Sequence, residues 1–122
     1  MRSHRVALVA AVLLVLLPFA WLGYDAVAQG TIKAAKQMAL YSATLSPTVI
    51  AVSTSAEQTF SVPGLRVGDF VAVNKPTVQA GLGICGARVT AANTLGICFS
   101  NSSASQVTPT ASQVYTIFGV RS

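Results

Sequence analysis

Apolar and polar positions alternate along this chain in three successive regimes. Val6 to Tyr24 is an unbroken apolar run of nineteen residues, preceded by Arg2 and Arg5 and followed by Asp25. A helix over that run would be about 28 Å long, the hydrocarbon thickness of a bilayer. Residues 1–24 are therefore expected to be a transmembrane helix, with Val6, Leu8, Leu13, Leu14, Leu16, Leu17, Phe19, Trp21 and Leu22 as its lipid-facing anchor. The same stretch also has the grammar of a secretory signal, with a basic start, an apolar middle and the small-residue triplet Ala26-Val27-Ala28, after which cleavage would leave a chain beginning at Gln29. Arg2 and Arg5 before the run and Lys33 and Lys36 after it leave the positive-inside count nearly tied.

The second regime has a helical period. Ala28, Ile32, Ala35 and Ala39 recur at spacings of four and three, while Gln29, Lys33, Lys36 and Gln37 gather on another face. Residues 25–42 are expected to form an amphipathic helix or stalk, with that alanine-rich stripe packing closely against a copy or another protein.

From residue 43 to 122 the vocabulary changes to β-branched residues, threonine and serine with frequent turn residues, which predicts an all-β domain. Strands are expected at Thr48–Val52, Gln58–Val62, Asp69–Asn74, Ile84–Thr90, Thr94–Phe99 and Gln113–Arg121. Val62-Pro63-Gly64-Leu65 should form a turn, and Ser100 to Ser112 a long loop. The chain is thus α+β in sum, a long N-terminal hydrophobic and amphipathic helix followed by a small antiparallel sandwich or jelly-roll-like domain. Its expected β core is Phe60, Phe70, Ile84, Leu95, Ile97, Phe99 and Ile117.

Cys85 and Cys98 face each other if the last two expected central strands pair around a four-residue Thr90-Ala91-Ala92-Asn93 loop, which makes them a candidate disulfide, with two small half-buried apolar side chains as the alternative. That register sets Ile84, Leu95, Ile97 and Phe99 on one face and Cys85, Ala87, Val89 and Cys98 on the other. Neither face looks made for water, so a homo-oligomer is expected.

Composition sharpens this picture. Of 122 residues, 52% are hydrophobic and only 9% charged, against about 25% in an ordinary soluble domain. Such a surface prefers neighbours to water. The net charge of +5 is spread over scattered single residues with no basic stripe, so no nucleic-acid partner is expected.

Little in the chain can do chemistry. Its acidic residues are Asp25, Glu57 and Asp69, and its one histidine, His4, lies ahead of the apolar run. No triad, paired-carboxylate site or four-ligand metal site can be assembled from these within one chain, so no catalysis, metal, cofactor or small-molecule substrate is expected. The glycines of Gly81-Leu82-Gly83-Ile84-Cys85-Gly86 precede a strand pattern, which fits close packing or a bulge and not a phosphate loop. Asn101-Ser102-Ser103 matches the N-glycosylation triplet.

The run from Gln58-Thr59-Phe60-Ser61-Val62-Pro63-Gly64-Leu65 through Val67-Gly68-Asp69-Phe70-Val71-Ala72-Val73-Asn74-Lys75-Pro76, with Gly81-Leu82-Gly83-Ile84, Ala87-Arg88-Val89, Ala92-Asn93-Thr94-Leu95 and Tyr115-Thr116-Ile117, resembles a small all-β unit of bacteriophage virion proteins. The resemblance covers about residues 44 to 121. It implies a non-enzymatic structural role as a decoration, spike or fibre-type module, usually trimeric, with other virion proteins as partners. An apolar leader is a departure from that pattern and points to a virion-associated protein at a lipid membrane, viral or host. Two further designs share parts of the pattern. A pilin-like envelope filament subunit also joins an apolar helix to a small β domain, but it normally has a glutamate early in the apolar segment, and none interrupts Val6 to Tyr24. A secreted adhesion or binding module released after Ala28 is the other.

Overall fold

The computed structural model describes residues 34–122, which form a unit of their own. The expected transmembrane helix and the Ala28 and Ile32 positions of the alanine stripe lie outside the described residues. Within them the fold is all-β. Six strands, β1 (Gln37–Leu45), β2 (Thr54–Ser61), β3 (Phe70–Asn74), β4 (Leu82–Ala91), β5 (Thr94–Asn101) and β6 (Gln113–Arg121), make two antiparallel three-stranded sheets, ordered β1-β6-β3 and β2-β5-β4. Both sheets contribute to one core. Leu95, Ile97 and Phe99 of β5 and Val89 of β4 meet Tyr115 and Ile117 of β6, Leu45 of β1 and Val71 of β3, closed by Ile50, Val62 and Leu65 from the connections.

Of the helix expected over residues 25–42, residues 25–33 lie outside the described residues, and β1 corrects the expectation for the remainder. Gln37 to Leu45 pairs with β6 along its whole length, Gln37 opposite Arg121 and Leu45 opposite Gln113. Ala35 is exposed just ahead of the strand, and Ala39 lies within it. The helical reading rested on alanines, which bury little area. Alternate residues Tyr41 and Ala43 pack against the core and Leu45 enters it, so tertiary pairing overrides the local helix formers.

Thr48–Val52 is not a strand. Ile50 makes a single bridge with Val107, its N–H donating at 2.8 Å and its carbonyl accepting at 3.1 Å, and its side chain is fully buried. The Gln58 side chain satisfies Thr48 instead of a ladder, accepting from its N–H at 2.8 Å and donating to its carbonyl at 3.0 Å. One side-chain amide thus does the work of a neighbouring strand.

The β4–β5 hairpin differs from expectation in its phase. Ile84 pairs with Phe99, but Gly86 pairs with Cys98, so Cys85 is the extra residue of a bulge. Beyond the bulge the alternation flips. Ala87 and Val89, expected on the outer face, turn inward beside Leu82 and Ile84 to pack on the core. A second irregularity near the turn shortens the expected four-residue loop to Ala92-Asn93, with Asn93 at φ +58°.

Of the expected core residues, Leu95, Ile97, Phe99 and Ile117 are fully buried, and Phe60 and Ile84 pack partly buried against them. Phe70 is the exception. It is 64% exposed, because β3 turns Val71 and Val73 inward and Phe70 and Ala72 outward. The whole strand is apolar, so its alternation could not be read from composition.

Candidate functional site

Two ion pairs, Arg121–Asp69 and Arg88–Glu57, tie parts of this unit together. Arg121 Nε and Nη2 donate to the two carboxylate oxygens of Asp69 at 2.8 and 2.7 Å, a bidentate pair whose Asp69 side chain is 5% exposed. The Arg66 N–H donates to the same carboxylate at 3.0 Å, while Arg121 also reaches the Gly64 carbonyl and Gln37 Oε1, both at 3.2 Å. The end of β6, the start of β1 and the β2–β3 connection are thereby tied at one point. The hydrogen bond from Arg121 holds the Asp69 carboxyl down at about 2, and the Arg66 N–H pulls in the same direction against the opposing effect of burial.

Glu57 and Arg88 form the second pair, Arg88 Nε to Oε2 at 2.7 Å and Nη2 to Oε1 at 2.9 Å. It crosses the outer face of the second sheet over Gly96 of β5, where a Cβ would lie 3.0 Å from the Glu57 carboxylate and 2.8 Å from Thr90 Cγ2. The hydrogen bond from Arg88 lowers the Glu57 pKa. Lys75 Nζ donates to the Thr77 carbonyl and hydroxyl and to Gln113 Oε1, and burial lowers its pKa. No grouping of three or more metal-ligating side chains occurs among the described residues. Each described carboxylate side chain is paired in an arginine fork.

Cys85 and Cys98 are bonded, on the outer side of the second sheet. The bulge at Cys85 is what allows the bridge to sit there while both halves of β4 serve the core. Asn101, the acceptor position of the glycosylation triplet, is buried. Its Nδ2 donates to the Ile50 and Ser105 carbonyls, and its Oδ1 accepts from the Ser103 N–H and hydroxyl. A side chain so committed organises the loop after β5 and leaves no room for a glycan. The glycine-rich segment runs from Gly81, at φ +79° against Ser103, directly into strand β4, so it forms no phosphate-binding turn into a helix.

What remains is a surface. The outward positions of the β1-β6-β3 sheet fall into rows set by its register: Met38–Val120–Phe70, Leu40–Phe118–Ala72, Ser42–Thr116–Asn74, and Thr44–Val114. Met38 (67%), Leu40 (73%), Phe70 (64%) and Phe118 (37%) are exposed, and none of the outward positions carries a charge. Sequence reasoning looked for an apolar outer face on the β4–β5 hairpin and missed this one, whose first strand was assigned to a helix. On the opposite sheet, with Ala87 and Val89 turned inward, the outer face is mostly hydroxyls, glycines, the disulfide and the Arg88–Glu57 pair. No helix of the described residues is long and apolar enough to cross a membrane. No protein-family model, curated protein or solved structure matches the chain.

Proposed function

We propose that this chain is a non-catalytic structural subunit of a bacteriophage particle, of the minor capsid, spike or decoration type, whose apolar run Val6 to Tyr24 holds its β unit at a viral or host membrane. The observation that carries the reading is the division of labour on the β unit. Both of its carboxylates are paired with arginines, while the outer face of the β1-β6-β3 sheet exposes Met38, Leu40, Phe70 and Phe118 and carries no charge. An enzyme needs polar groups poised and unspent, whereas an assembly subunit needs a face that gains by being covered. Other virion proteins and further copies of the chain are the partners this reading requires.

Peptide mass spectrometry of purified particles tests it. Peptides from within residues 2–24 should be recovered from the particle together with those of the β unit. A chain found only outside particles and starting at Gln29 would replace this reading with that of a secreted binding module. The Cys85–Cys98 bridge is the feature favouring that alternative, since disulfides persist in compartments outside the reducing cytosol.

A further inference from the structure

We infer that the outer face of the β1-β6-β3 sheet is a self-association surface, and that its occupant is the same face of a second copy of this chain. The inference rests on the structural-subunit reading and names the surface by which such a subunit would meet its copies.

Three observations select the occupant. The first is charge. Across all outward positions of β1, β6 and β3 there is no acidic or basic side chain, so the face can meet itself without like-charge repulsion, and it offers a charged partner nothing to pair with. The described cations lie elsewhere, with Arg88 on the other sheet, Arg121 and Lys75 turned to hydrogen-bond partners, and Lys36 and Arg66 outside the strands. A lipid surface is a poorer fit, because interfacial contacts favour tryptophan, tyrosine, lysine and arginine, and none of these stands on the face.

The second observation is pattern. The apolar rows Met38–Val120–Phe70 and Leu40–Phe118–Ala72 occupy one end of the face, while Ser42, Thr44, Thr116 and Asn74 lie toward the other. None of those four polar side chains makes a hydrogen bond among the described residues, whereas nearby Ser46, Gln113 and Thr77 do. An apolar patch bordered on one side by uncharged polar side chains suits a face that packs on another.

The third is area. Phe70 and Phe118 together expose about one phenylalanine's worth of surface, ~200 Å2, and Met38 and Leu40 add roughly as much again. Two such faces would cover about 800 Å2 of apolar surface, and the hydroxyl margins carry the total toward the ~1,200 Å2 at the lower end of specific interfaces. Such a contact is weak between free molecules and strengthens when both copies are held on one membrane or particle, where effective concentrations reach millimolar.

Sedimentation equilibrium of the full chain in a density-matched mild detergent tests this, run on the wild type, Leu40→Glu, Phe70→Glu and the control Ser55→Glu on the opposite sheet. Leu40 and Phe70 both stand on the face and are mostly exposed, so their substitution leaves the core untouched, and circular dichroism checks that each variant folds. The wild type and Ser55→Glu should self-associate, and Leu40→Glu and Phe70→Glu should each weaken association at least tenfold. A wild type that is monomeric at high micromolar concentration, as it would be if lipid or residues 1–33 covered the face, overturns the inference. So does association that survives both face substitutions, which would place it in the apolar run. Flotation of the same four proteins with liposomes reads the membrane anchor separately: all four should float, and a set that fails to float sinks the anchor while the association result still decides the face.

Discussion

Asn93, in the two-residue turn between β4 and β5, accepts a hydrogen bond from the Gly64 N–H through its Oδ1 at 2.8 Å. Its own N–H donates to the Leu65 carbonyl at 2.8 Å, and its carbonyl accepts from the Val62 N–H at 2.9 Å. One residue therefore clamps the Val62-Pro63-Gly64-Leu65 turn onto the hairpin. Both partners have positive φ, +58° at Asn93 and +102° at Gly64, and a Cβ on Gly64 would lie 3.1 Å from the Tyr41 ring. Gly64→Ala should cost about 1–3 kcal/mol through backbone strain. Asn93→Ala should cost a similar amount by stranding the Gly64 N–H, whereas Asn93→Asp, which keeps the acceptor, should cost less. Urea denaturation of the three variants checks the order.

Tyr115 is fully buried in the core, and its hydroxyl has no hydrogen-bond partner among the described residues. Burial raises its pKa, so the phenol stays neutral throughout the ordinary range. Removing a buried, unpaired polar atom while keeping the ring should cost nothing. Tyr115→Phe is expected to leave stability unchanged or raise it by about 1 kcal/mol. A drop in the urea midpoint at constant slope would contradict this.

The Cys85–Cys98 bridge closes a short loop with a sequence separation of 13. Chain-entropy arguments assign about 3 kcal/mol to a loop of that size. Replacing both cysteines by serine should lower stability by about 2–3 kcal/mol, read by thermal or urea unfolding. Cys85 is exposed, so mild reductant should reproduce the loss in the wild type.

Asp69 gives the fold an acid limit. Its carboxyl titrates at about 2 when folded and near 3.8 otherwise, so the folded state binds its proton more weakly than the unfolded state. The stability this provides is fully present above about pH 4 and is lost as the pH falls through 2. Denaturation midpoints should therefore fall below pH 4 in the wild type. Asp69→Asn should be less stable at neutral pH and should show a shallower acid decline.

Much of the β unit was legible because its pattern is local. The closing strand β6 was bounded correctly at Gln113 and Arg121, and the Pro-Gly turn, the Asn93 turn and the buried Leu95-Ile97-Phe99 alternation all follow from residue type and period 2. What was not legible depended on distant partners. Gln37 to Ala39 look helical until β6 pairs with them, and Ile50 looks like part of a strand until the Gln58 amide takes its neighbour's backbone groups. The phase of β4 was hidden by one residue. The step of three between the inward Ile84 and Ala87 signals a bulge, but only once the core side of β5 is known. The apolar face was missed for the same reason, since it exists only when β1, β6 and β3 are laid side by side, and Phe70 is apolar whichever way it points.

The strand nearest residue 34 and the strand nearest residue 122 are direct neighbours, antiparallel from Gln37 opposite Arg121 onward, with the Lys36 N–H bonded to the Arg121 carbonyl at 2.7 Å. A pull applied between those two points would load this ladder one rung at a time, like opening a zip, instead of shearing all its rungs together. The β unit should therefore give way at low force when stretched through that pair of points, well before its core is disturbed. A β unit built this way keeps its shape while tension runs through one of those points alone, and peels when both are drawn apart.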